Sequence, residues 1–287
     1  MEFYYLCPLM KKLIFGLFCL LLLFTSCSEY TRIQKGHDMD AKLDLAIKLY
    51  NKAEYYKALP LLEELITVFR GTKKAEQTYY YYSYTNYRLG DFETAAYNFE
   101  NFAKTFSSSE SAEECAFMHA YCYYEMSPEF SLDQTSTIKA INELQLFTDR
   151  YPRSSNVDKS NKLIDQLRGK LELKSYNNAQ MYYNMESYKA GITSFKILLH
   201  DFPSTNFRED VMFKIVKATY LLAENSIDEK KAERYNDTIL AHTEFISAFP
   251  DSRQREKADE ILNLAKKKLF KLNVVAALQN SLNIYKP

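Results

Sequence analysis

Between Ala58 and Phe249 one arrangement of apolar positions recurs. A small residue is followed four positions later by an apolar one, three later by another, and four later by an aromatic ring. Ala58–Leu62–Leu65–Phe69 is the first instance, then Ala95–Phe99–Phe102–Phe106, Ala140–Leu144–Phe147–Tyr151, Gly191–Phe195–Leu198–Phe202 and, more loosely, Thr238–His242–Phe245–Phe249. Steps of four, three and four lie on one helical face, so each run predicts an amphipathic helix. In the last three copies the aromatic is followed by Pro152, Pro203 or Pro250, and proline ends a helix because it cannot continue the hydrogen-bond ladder. Twelve residues before the small position, Ala46, Ser83 and Ala179 supply another small residue. They predict a first helix, joined to the second by turns such as "NKAEYY" and "RLGDF".

Two helices per unit make a hairpin that cannot bury its own apolar face, so stacking is obligatory. The pattern resembles the tetratricopeptide repeat, whose period is about 34 residues. Here the closing aromatics are 37, 45, 51 and 47 residues apart, and "SPEFSLDQTS" and "ENSIDEKKAERYND" account for part of the excess. The expected fold is all-α: a right-handed solenoid of about five tetratricopeptide-like hairpins over residues 41–273, with a C-terminal capping helix from Ser252 to Asn273. Residues 274–287 are left as a tail of unknown role.

Composition supports this reading. Glycine and proline number 6 and 7 in 287 residues, too few turn formers for a sheet protein of this size. Formal net charge is zero, which gives no support to nucleic acid as a partner. The N-terminus adds a different element. "MKKLIFGLFCLLLLFTSC" starts at Met10 with two lysines, runs apolar from Leu13 to Phe24, and ends on Cys27. Its apolar run is too short to span a bilayer but suits an export signal. The stretch resembles a bacterial lipoprotein signal. That implies a signal peptide over residues 1–26 with its start at Met10, lipidation (palmitate) at Cys27, and a short polar tether over 27–40.

Tyrosine is the most uneven component. Tyr79, Tyr80, Tyr81, Tyr82, Tyr84 and Tyr87 crowd into nine positions, and six phenolic hydroxyls cannot all enter one core. With Ser83 as the small position, Tyr79 and Tyr82 face neighbouring helices and Tyr81 lies toward the rim. Tyr80, Tyr84 and Tyr87 then share the face that first helices present in such repeats. The same register adds Tyr50, Tyr121, Tyr124, Tyr176 and Tyr183. These eight are the candidate peptide groove, since rigid rings with polar tips bind extended chain at low entropic cost.

Catalytic patterns do not appear. The six glycines form no phosphate loop, and the histidines (His37, His119, His200, His242) form no HExxH or Cys-x-x-Cys pairing. His119 and His242 fall at packing positions. Cys115 and Cys122, on one helix, stand about 10 Å apart by helical rise, beyond disulfide reach. The chain therefore reads as no enzyme, with no cofactor and no metal site.

From Ile138 to Ala179, the helix ending in Tyr151-Pro-x-Ser154, the long "LRGKLELK" helix and the later Tyr182-Tyr183 pair resemble the BamD family of outer-membrane protein assembly lipoproteins. "YKAGITSFKILLHDFPST" and "FISAFPDS" continue the resemblance, which covers about Ala41 to Lys271. It implies a periplasmic, lipid-anchored scaffold on the outer membrane. Its partners would be the periplasmic domains of a BamA-like β-barrel insertase and unfolded outer-membrane proteins. The exposed basic helix with Arg255, Lys257, Lys266, Lys267 and Lys268 is the candidate insertase contact. Three rival roles stand beside it: a tetratricopeptide lipoprotein assisting secretin or pilus assembly, which uses the same physics, a surface glycan-binding lipoprotein, and a coordinator of cell-wall enzymes. The absence of tryptophan argues against the second.

Overall fold

A computed structural model describes residues 29–284, all of whose regular elements are helices. In order they are α1 (Met39–Asn51), α2 (Tyr55–Val68), α3 (Ala75–Leu89), α4 (Phe92–Thr105), α5 (Ala112–Glu125), α6 (Thr135–Arg150), α7 (Val157–Asn184), α8 (Tyr188–Asp201), α9 (Arg208–Glu224), α10 (Asp228–Ala248) and α11 (Arg255–Ile284). They form two compact units, residues 29–128 with 134–167, and residues 129–133 with 168–284. Within each unit consecutive helices stack as antiparallel, tetratricopeptide-like hairpins. The expected signal peptide and Cys27 lie outside the described residues.

The closing aromatics explain how each second helix stops. Phe69, Phe106, Tyr151, Phe202 and Phe249 are the C-caps of α2, α4, α6, α8 and α10. Each backbone N–H donates to the carbonyl four residues back, at 2.8 to 2.9 Å. Three residues further on stands a hydroxyl: Thr72, Ser109, Ser154, Thr205 or Ser252. Its oxygen accepts the N–H two residues later, at 3.0 to 3.2 Å, and so caps the entry to the next helix. In three copies the same hydroxyl donates to a carboxylate of the preceding repeat: Ser109 to Glu76 at 2.5 Å, Thr205 to Glu172 at 2.5 Å, and Ser252 to Glu209 at 2.6 Å. One side chain thus ties a corner to its neighbour.

The turns inside the hairpins share another device. Ala53, Gly90 and Glu186 have φ of 60°, 82° and 59°, each two residues before a second helix. The following N–H reaches five residues back, Glu54 to Leu49, Asp91 to Asn86 and Ser187 to Tyr182, at 2.9 to 3.0 Å, closing off the last turn. Only glycine adopts this conformation without a Cβ penalty. Ala53→Gly is therefore expected to stabilise the protein by up to about 1 kcal/mol and Gly90→Ala to destabilise it by about as much. Denaturant unfolding of the two variants should move in opposite directions.

Small residues sit where helices cross. Ala46, Ser83, Ala120, Ala179, Ala58, Ala95, Ala140 and Thr238 are fully buried. A Cβ on Gly191 would come within 3.2 Å of the Tyr183 backbone nitrogen, tighter than most Cβ contacts, so a larger residue there would push α8 from α7 by a few tenths of an ångström. The cores between them are built by the four-three-four positions, including Leu62, Phe99, Leu144, Phe195 and Phe245.

Three segments differ from the sequence expectation. Residues 29–35 are helical rather than an open tether, because Tyr30 and Ile33, three apart, pack on the first core; the Tyr30 hydroxyl also donates to the Lys57 carbonyl at 3.3 Å. The insertion "ENSIDEKKAERYND", to which no element was assigned, mostly lengthens α10, since Tyr235 is buried and its hydroxyl donates to Glu224. The last helix passes Asn273 without a break and runs to Ile284.

Candidate functional site

In the first unit the first helices of successive hairpins lie side by side, and rings join them. Tyr50 of α1 meets Tyr81 of α3 edge-on at 5.1 Å between centroids and Tyr55 at 5.4 Å. Tyr87 of α3 approaches Tyr121 of α5 at 6.4 Å, and Tyr121 stacks on Tyr124 at 5.5 Å. The Tyr124 hydroxyl donates to Gln166 Oε1 of α7 at 3.0 Å. Helical spacing supplies this row: positions 80, 84 and 87 on α3 and 117, 121 and 124 on α5 each form one stripe.

Two cations border the row. Lys159 Nζ lies 4.6 Å from the Tyr121 centroid and 4.9 Å from that of Phe117, the range of a cation–π contact. The Arg88 guanidinium lies beside the Tyr50 hydroxyl and 5.9 Å from the Tyr87 ring. Burial raises the Tyr50 hydroxyl pKa, and Arg88 pulls against it. Burial and the carboxylate of Glu125 raise Tyr87. These phenols stay neutral at physiological pH and serve as hydrogen-bonding tips. Partly buried rings, neutral hydroxyls and two fixed positive charges suit an extended peptide with aromatic side chains.

The eight groove candidates do not fare alike. Tyr50, Tyr80, Tyr87, Tyr121 and Tyr124 are partly buried members of the row in the first unit. Tyr84 departs from its expected place: it is buried to 8% exposure against Phe99, and its hydroxyl donates to Glu114. A carboxylate within reach lets this ring enter the core with its polar atom satisfied. Tyr80 leans on Tyr84, its hydroxyl 3.4 Å from the same carboxylate, and burial pushes its pKa up to about 12. Tyr81, expected at the rim, instead seals α3 against Tyr50. Tyr176 and Tyr183 belong to the second unit. Tyr176 stacks on Phe207 at 4.3 Å, donates to Asp210 at 3.0 Å and accepts from Lys214 at 2.6 Å. Tyr183 packs against Tyr188 and Phe195.

The five basic candidates Arg255, Lys257, Lys266, Lys267 and Lys268 are all exposed on α11. Arg255 donates to the Pro250 carbonyl at 2.8 Å, and Lys268 pairs with Glu224 at 2.9 Å. His119 and His242 are buried structural residues: His119 Nδ1 lies 2.9 Å from the Ala96 carbonyl and His242 Nε2 2.7 Å from Asp259. Cys115 and Cys122 are free buried thiols, and burial pushes the Cys122 pKa up to about 12. Among the described residues no group of three or more His, Cys, Asp or Glu side chains is arranged to hold a metal.

Arg88, Lys159, Gln166 and Glu114 escaped the sequence reading. Lys159 was within reach: it lies eight residues past the closing Tyr151, in the first turn of α7 and thus beside the rings of α5.

Stacked helical hairpins with an aromatic face define a tetratricopeptide-like scaffold. The family model described as "YfiO: Outer membrane lipoprotein" matches residues 43–234, and the chain belongs to that family. It is similar to the outer membrane protein assembly factor BamD of Caulobacter vibrioides, with 23% identity over 180 residues, 63% of this chain. The match spans 56%, little more than half, of that relative's length. Similar solved structures include a TPR repeats protein from Bacteroides fragilis, with 13% identity and a TM-score of 0.37, covering 81% of this chain and 100% of that one. Another is the TPR2AB domain of yeast Sti1 in its complex with an HSP90 peptide, with 11% identity and a TM-score of 0.38, covering 86% and 96%.

Proposed function

We propose that this chain is a non-enzymatic scaffold of an outer-membrane β-barrel assembly machinery, held at the periplasmic face by acyl chains on Cys27. Its first unit receives unfolded outer-membrane proteins, and its second unit meets the periplasmic domains of a BamA-like insertase. Membership of an outer membrane lipoprotein family supports the setting. The observation that carries the substrate assignment is the partly buried row Tyr50, Tyr80, Tyr87, Tyr121 and Tyr124 with Arg88 and Lys159 at its edge. A chain in extended conformation gains apolar area from the rings, and its carboxylates or backbone carbonyls find donors at the two cations and the phenol tips. Tyr176 and Tyr183 extend the candidate surface within the second unit, where Lys214 and Lys217 accompany them. Arg255 and Lys257, at the exposed start of α11, are the insertase contacts we favour; the cluster Lys266–Lys268 is taken up below.

Purification of the tagged chain from detergent-solubilised membranes tests the reading. Recovery of an integral β-barrel protein with periplasmic domains is the expected result, and recovery of a secretin in its place contradicts it. Cys27→Ser is expected to move the chain from the membrane to the soluble fraction, because stable attachment takes the acyl chains.

A further inference from the structure

The second half of α11 carries a surface that the proposed role leaves unused. From Ile261 to Pro287 the chain holds five lysines, Lys266, Lys267, Lys268, Lys271 and Lys286, and no aspartate or glutamate, although its net charge is zero. One side of the helix is committed to the second unit: Ala258, Ile261, Ala265, Leu269 and Leu272 pack into its cores. At the helical repeat, Lys267, Phe270, Lys271, Val274 and Leu278 fall on the opposite side, at steps of three, one, three and four. The apolar members are strongly exposed, Phe270 at 70% and Leu278 at 59%. A solvent-facing helical side ordinarily carries mostly polar residues, with apolar ones scattered singly. Here rings, branched chains and lysines share it.

We infer that this face of α11 lies on an anionic lipid surface. Phe270, Val274 and Leu278 would enter the boundary between headgroups and acyl chains, while Lys267 and Lys271 extend their stems and place their ammonium groups among the phosphates. The interleaving selects lipid over a protein groove. A groove that takes a helix reads an unbroken apolar stripe with charges outside it; burying this face would bury Lys267 and Lys271 beside Phe270 and Val274, at a large desolvation cost. A lipid boundary lets each lysine reach water. The acid-free run supplies the charge complementarity, each lysine near an anionic leaflet adding to the attraction. No helix among the described residues is long and apolar enough to cross a membrane, so α11 lies along the surface. The attachment is independent of Cys27 and adds a second signal to it.

Vesicle binding by residues 27–287 carrying Cys27→Ser, which removes any acyl contribution, tests this. The chain is expected to bind vesicles containing one third phosphatidylglycerol, to ignore pure phosphatidylcholine, and to dissociate as salt rises. Phe270→Glu with Val274→Glu, and Lys267→Glu with Lys271→Glu, should each lower partition at least about tenfold, with helical content unchanged because these side chains are exposed. Equal partition of wild type and both variants, or no preference for the anionic vesicles, overturns the proposal. So does retention of insertase periplasmic domains through this face with no vesicle binding, which assigns it to protein. Failure of the membrane purification above leaves the vesicle result standing on its own.

Discussion

Alanine at Tyr87, Tyr121 and Tyr124 together is expected to lower affinity for a peptide ending in an aromatic-rich β-strand by about 100-fold, on the scale of a few aromatic hot spots. Fluorescence anisotropy with a labelled peptide measures it. The three rings are partly buried and pack against the outer side of the first unit's cores, so affinity is read per folded molecule, and its loss is expected to exceed what any loss of folding accounts for. Two controls separate the contributions. Tyr97→Ala removes a ring that is 64% exposed on the second helix of its hairpin, and should leave binding unchanged. Lys159→Ala removes the charge above Tyr121 and Phe117 but no ring. It should cost less than the triple change, and its effect should fade at high salt, since the charge acts through solvent-screened attraction.

Phe99→Ala is expected to destabilise the protein by about 3–5 kcal/mol, the usual range for emptying a buried ring site. Phe99 is fully buried, and its ring meets Tyr84 edge-on at 4.9 Å. Its loss opens a cavity in the core that α3, α4 and α5 share. It also removes the wall that holds the Tyr84 hydroxyl against Glu114. Denaturant unfolding followed by circular dichroism reads the change. Because a repeat unit depends on its neighbours for burial, the variant should also loosen the ring row on α3 and α5. Peptide affinity should therefore fall in step with stability, whereas in the tyrosine variant it should fall further than stability alone accounts for.

The helices were legible because their determinants are local and periodic. The four-three-four positions form the cores, and the closing aromatics mark where second helices stop. The hydroxyl three residues after each aromatic was picked out only in the Tyr151-Pro-x-Ser154 run, although Thr205 and Ser252 stand at the same spacing in the runs "FPST" and "FPDS". Its general role as a corner cap emerges when all five corners are compared. What the sequence could not reveal depends on partners far along the chain. Tyr84 shares the stripe of Tyr80 and Tyr87, and only the arrival of Glu114 from α5 decides that it can be buried. Tyr81 turns to α1 because Tyr50 offers a ring edge there. Lys159 joins the site through α7, 38 residues after Tyr121. The acidic–basic run before Tyr235 looked like an insertion because its charges hid a helical period whose one buried ring is satisfied by Glu224.

The central claim is that unfolded outer-membrane proteins meet the aromatic face of the first unit. Site-specific photo-crosslinking in living cells tests it most directly, with the photoreactive residue placed at Tyr121, at Tyr124 or, on an exposed second-helix side, at Tyr97. Crosslinks to newly made β-barrel proteins from positions 121 and 124, and few from 97, are the predicted result. Equal yields at all three positions, or crosslinks from Tyr97 alone, would contradict it.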